Sequence, residues 1–219
     1  MVAERALRLA TLAGVLLVAC AGPRGPVSPE LQAVAQQRDA LAVADALEAL
    51  IAAGKDTPAD RQFAYDAVTA HEEDSAAYAY ARAAVTGRLV QQRGLLAADL
   101  IGDVERWGMR SRELDPEFRG GAATRLLGTL YVIAPSSFLK HGDSEQGLVL
   151  LEQLESEHPD VLENHLRLAE AYIALGDHEP AVPHLCACLA NRSALRRDDQ
   201  ALLDELVRVT GEPECVAQH

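Results

Sequence analysis

The sequence predicts an all-α protein built from helical hairpins of one repeated design. Residues 166–189 read LRLAEAYIALGDHEPAVPHLCACL and hold two apolar stripes on either side of Gly176-Asp177. The stripes are Leu168, Ala171, Tyr172 and Leu175, then Ala181, Leu185, Cys188 and Leu189. Steps of three and four set each stripe on one helix face. The stretch GDSEQGL from Gly142 then matches GDHEPAV from Gly176, 34 residues later. Finally, aromatic residues make up 4% of the chain, no run alternates strictly, and Ala and Leu are abundant, which favours helices over sheets.

Taken in order, the chain opens with Arg5 and Arg8 ahead of an apolar run, residues 9–18. That run is too short to span a bilayer comfortably. It ends in Leu17-Val18-Ala19-Cys20, which resembles a bacterial lipobox; an ordinary secretory peptide cut near the same place is the alternative. The expectation is a signal peptide over residues 1–19 and a lipid on Cys20. A Gly/Pro-rich tether over residues 20–28 would follow. Residue 21 is Ala rather than Asp, so the expected location is the outer membrane, facing the periplasm.

Ser28-Pro29-Glu30 starts the first helix, with Ser as cap and Pro in the first turn. Its stripe runs Leu31, Val34, Leu41, Ala44, Leu47, Leu50 and Ile51, and Gly54 ends it. Thr57-Pro58 opens a second helix and Asp74-Ser75 a third, interrupted at Gly94. A fourth spans about residues 95–114, and one after Gly120-Gly121 reaches Ile133. Helices at about 144–157 and 161–175 follow, then one to Ala190, with Asp177 as its cap. A polar-backed helix over residues 198–210 closes the stack. The helical domain is therefore residues 29–210, and residues 211–219 form a tail.

A period of 34 residues is that of the tetratricopeptide (TPR) repeat. Leu127-Gly128 and Tyr131 reproduce its L-G-x-x-Y core, Leu168-Ala169 and Tyr172 form a second copy, and Pro159 stands where the repeat closes. The chain thus resembles a TPR-like α-helical hairpin solenoid preceded by a cleaved lipoprotein signal peptide. It departs from the repeat by seven residues inserted within 134–141, APSSFLKH.

In such solenoids the first helix of each pair lines the concave face. By register, the groove is Arg125, Thr129, Val132 and Ile133, then Leu166, Glu170 and Ile173, with Ala122, Glu163 and Ala174 beside them. It is mostly apolar and suits an apolar ligand or a partner helix, unless neighbouring helices fill it. Leu166 and Glu170 replace the Lys/Asn arrangement with which TPR co-chaperones clamp a terminal carboxylate. The inserted Phe138, Leu139, Lys140 and His141 are expected to border this groove; the alternative is that Phe138 and Leu139 fold back as core.

Over about residues 60–190 the chain resembles one family in particular, TatT, the T component associated with TRAP transporters. The resemblance rests on Arg112-Glu113-Leu114-Asp115-Pro116, on GGAATRLLGTLY from Gly120 to Tyr131, and on the helix pair after the insert. It implies a non-enzymatic periplasmic scaffold. Such a scaffold would bind the substrate-binding subunit of a TRAP transporter and hold an apolar ligand. The alternative is a general TPR lipoprotein that scaffolds envelope or outer-membrane assembly. Self-association into a homo-oligomer is open to either.

Charge and motifs exclude other classes. The formal net charge is −13, and such a body repels nucleic-acid phosphates. The chain has no G-x-S-x-G, no H-E-x-x-H and no glycine-rich phosphate loop, so no catalytic residues and no cofactor are expected. His184 and Cys188 share a helix face, but Cys188 falls on a core position and no metal site is expected. Cys186 and Cys188 lie about 200° apart around one helix, which disfavours a bridge between them. A bridge from Cys186 to Cys215 would tie down the tail and leave an odd thiol, and the sequence does not decide whether it forms.

Overall fold

The structure is a computed structural model that describes residues 25–215. Its helices are α1 (Pro29–Ala35), α2 (Ala40–Ala52), α3 (Pro58–Thr69), α4 (Ala76–Arg93) and α5 (Ile101–Leu114). Then come α6 (Ala122–Ile133), α7 (Ser144–Glu157), α8 (Leu162–Ala174), α9 (His178–Ala190) and α10 (Arg197–Thr210). No strand occurs among the described residues.

Local chemistry starts most of these helices. Thr57 and Asp60 form a reciprocal capping box on α3, and Pro58 sits in its first turn. Asp39, Ser75 and Asp143 each accept a backbone N–H at the start of α2, α4 and α7. Asp177 occupies the N-cap of α9, but its carboxylate makes no capping bond there.

Two expected helices are broken. The stripe from Leu31 to Ile51 runs through two helices, because Arg38 turns to a φ of 58° and Asp39 caps a new start. The fourth helix begins as a 3-10 segment, Gly94–Leu100, with Ala97 out of helical geometry. That departure leaves Leu95 and Leu96 exposed.

The first core joins α1 to α4 around Leu31, Leu47, Val68, Tyr78 and Val85, with Trp107 of α5 against it. A second joins α8, α9 and α10 around Leu166, Ala169, Ala181, Leu185 and Leu203. Between them, α6 and α7 cross closely at Gly128 and Gly147. A Cβ on Gly128 would stand 3.0 Å from the Gly147 carbonyl oxygen. The 34-residue pattern thus appears as two antiparallel hairpins, α6–α7 and α8–α9.

The stack also closes on itself. Arg88 of α4 holds Glu48 of α2 through two bonds of 2.7 Å and reaches Asp198 of α10 at 3.3 Å. Arg196 adds a 2.7 Å bond to Glu48 across 148 residues of chain. The mutual pull is strong. Burial raises the Glu48 carboxyl, yet Arg88 and Arg196 outweigh it and hold the group below its ordinary value. The tail is fastened too: Cys186 and Cys215 form a disulfide, and Cys188 remains a buried free thiol. Burial pushes that thiol up to about 12, so it is inert in the core.

Candidate functional site: a cleft between α5, α6 and α7

A cleft of about 810 Å³ is lined from α5, α6 and α7. Its apolar lining includes Leu127, Leu150, Met109 and Val149, the last two among the exposed large hydrophobics. Arg112, Glu113, Asp143, Glu145 and Gln146 surround them. With one cation against three carboxylates, the charged lining carries a net −2.

The walls are set by residues with little freedom. Tyr131 of α6 lies against Gly142, where any Cβ would meet its ring. Burial, with the nearby Glu105 carboxylate, raises the Tyr131 hydroxyl to about 12. Glu105 of α5 is itself buried, and its two oxygens accept the backbone N–H groups of Lys140 and His141 at 2.9 and 2.8 Å. The insert is therefore bolted to α5 by a buried carboxylate. That pairing is physically required, since a buried carboxylate must find donors. It ties the insert to α5 as well as to the helices it connects.

The predicted groove residues do not come together as one surface. Leu166 is wholly buried in the α8–α10 core, and Ile173 packs against the same core. Val132 packs on Leu151 and Leu168. Leu166 in particular cannot line a groove, because neighbouring helices fill that face. Arg125 is half-buried and donates to Asn164 at 2.6 Å, while burial pulls its guanidinium down. Thr129 carries a buried hydroxyl without a hydrogen-bond partner. Glu170 pairs with Arg167 at 3.0 Å. Ile133 stays exposed, Phe138 and Leu139 are half-buried, and Lys140 is exposed. Of the expected set, His141 lines the cleft. Sequence reasoning missed Met109 of α5, Leu127 of α6, and Val149 and Leu150 of α7 as cleft residues.

A second grouping lies on α7, α8 and α9. His165 and His184 face each other at 2.9 Å between Nδ1 atoms, with Glu155 3.5 Å from His165. Burial lowers the His184 imidazole. Cys188 does not join it; its sulfur approaches the Leu162 carbonyl at 3.7 Å. Glu117, Glu157 and His158 form a further, more exposed grouping.

Residues 138–185 match the tetratricopeptide repeat family. The TPR match covers the insert's end, α7, α8 and the first turns of α9, the same stretch that the 34-residue spacing marks. No curated protein matches the chain. Together, the TPR match and the paired helices describe an all-α fold with TPR-like hairpins.

Two expectations are corrected here. One was a membrane anchor through lipid on Cys20 with outer-membrane placement facing the periplasm. The cysteine chemistry in the described residues is instead an internal disulfide, and no described helix is long and apolar enough to cross a membrane. The anchored placement is withdrawn; Cys20 and residues 1–19 themselves lie outside the described residues. The other was the substrate-binding subunit of a TRAP transporter as partner. The match is to the general repeat and supports no such partner, which is withdrawn as well.

Proposed function

We propose that the helical unit, residues 29–210, is a protein-interaction module that captures a short partner segment in the cleft between α5, α6 and α7. The observation that carries the reading is the cleft's chemistry: an apolar lining with Met109 and Val149 left exposed, within a net-negative surround. Large exposed apolar side chains in a concavity with a polar rim mark docking sites. The acidic surround and the chain's net charge of −13 favour a segment with apolar anchors and flanking Lys or Arg.

A narrower version keeps the TatT resemblance for the helical unit alone. Its support is sequence motifs: Arg112 to Pro116, which closes α5, and Gly120 to Tyr131, which opens α6. It carries no transporter and no anchor with it.

The test is selection of displayed random peptides on the purified full chain, with Val149→Asp as the counter-target. Apolar peptides with basic flanks should be enriched and should bind the variant at least about 10-fold more weakly. Enrichment of no common pattern, or equal binding to both proteins, would refute the cleft as the site.

A further inference from the structure

Three consecutive helices bring Glu155, His165 and His184 together away from the cleft. Each offers one ligand atom, and all lie within 4.8 Å of one another. His165 Nδ1 stands 2.9 Å from His184 Nδ1 and 3.5 Å from Glu155 Oε1. On the other side of the same ring, His165 Nε2 lies 2.7 Å from the Pro159 carbonyl oxygen. A carbonyl can only accept, so Nε2 carries the proton. The neutral ring therefore aims the Nδ1 lone pair at His184 and Glu155. Fixing the outer N–H on a backbone carbonyl is how proteins orient a metal-ligating imidazole.

The second imidazole is held as firmly. Tyr172 stacks on the His184 ring at 18° between planes, and its hydroxyl donates to Glu152 at 2.6 Å. Glu152 also adds negative charge close to the pair.

We propose that Glu155, His165 and His184 form a binding site for a divalent transition ion of the zinc class. Two ligands of tetrahedral zinc stand about 3.3 Å apart. The Glu155–His165 separation is close to that, and the two imidazoles must open by a few tenths of an ångström and swing so that their lone pairs meet at one point. Without metal, the 2.9 Å contact is a hydrogen bond in which His184 Nδ1–H donates to His165 Nδ1. On binding, that proton moves to His184 Nε2 through solvent exchange, and both Nδ1 lone pairs go to the ion. Net protonation is unchanged, and water takes the fourth position. Two imidazoles with one carboxylate select Zn²⁺, Cu²⁺ or Ni²⁺ over Mg²⁺ and Ca²⁺. The bound ion would clamp α7 to α8 and α9 and so fix the angle between the two hairpins. The spacing 155, 165, 184 matches no sequence motif; only the stacking of the hairpins makes it a set.

The experiment is Zn²⁺ titration of the chelator-treated full chain by calorimetry, with Co²⁺ absorption as the geometric readout. One equivalent should bind with a Kd of about 1 µM or tighter, and Co²⁺ should give the visible bands of a tetrahedral site. His165→Gln and His184→Gln should each weaken binding by about 100-fold and Glu155→Gln by about 10-fold. His158→Gln, in the exposed grouping, should leave it unchanged. The ring nitrogen resonances of His165 and His184 in the wild-type chain should shift with one equivalent of Zn²⁺, a readout that needs no variant to fold. The proposal is overturned if no site tighter than about 100 µM exists. It is equally overturned if binding survives both histidine changes or the ring resonances do not move.

Discussion

Glu105 shows how one side chain decides what a loop is for. Its carboxylate lies in the core between α5 and the insert and is satisfied by two backbone donors, Lys140 and His141. The carboxylate lies on the α5 side and the amides on the α6–α7 connection, so removing either leaves the other short of partners. Glu105→Ala should cost about 1–3 kcal/mol in denaturant unfolding, because two amides lose their acceptor. Amide exchange at Lys140 and His141 should quicken by a larger factor than at Leu151. A variant with wild-type stability and protection would show that the insert does not depend on this anchor. Nothing in the local sequence marks Glu105 as buried, since it sits beside Arg106 in a stretch that reads as polar. Its role is set by a contact 35 and 36 residues away.

At the scale of elements, the repeat register was readable and the breaks in it were not. Gly128, Ala169 and Ala181 stand where small residues let helices approach, and the latter two are fully buried in the α8–α10 core. Ala169→Leu should overpack that core and cost about 1–3 kcal/mol, seen as a lower Tm with unchanged far-ultraviolet dichroism. No loss of Tm would contradict the register. The ends of α7 and of α10 lie within a residue of the sequence reading, because caps and turn glycines announce them locally. The break between α1 and α2 was hidden, since the apolar stripe continues across it and Arg38 gives no sign of a positive φ. Leu166 was misplaced for a related reason. Periodicity says that Leu166 faces a neighbour, but not whether that neighbour is another helix or a ligand. The Cys186–Cys215 bridge was open in the sequence and formed in the fold, because α9 and the chain after α10 run close together.

For the whole molecule, the decisive feature is closure of the N-terminal helices onto α10 through Glu48, Arg88, Arg196 and Asp198. Glu48 titrates in the fold below its ordinary value of 4.5, so on acidification the unfolded chain takes up the proton first. Its contribution is complete above that ordinary value and is lost as pH falls through the lower folded one. Glu48→Gln should therefore cost about 1–3 kcal/mol at neutral pH and flatten the acid side of the stability profile below about pH 5. A variant profile parallel to wild type through that range would mean that the closure draws nothing from this charge. Closure also turns the faces of α2, α4 and α10 inward, while the α5–α6–α7 cleft stays open. The interaction reading stands on that cleft. Its most direct test is chemical-shift mapping of a selected apolar-basic peptide on the isotope-labelled chain. Shifts should gather at Met109, His141, Gln146 and Val149. Shifts that gather instead around Ile133 and Ile173, with these four residues unmoved, would contradict it.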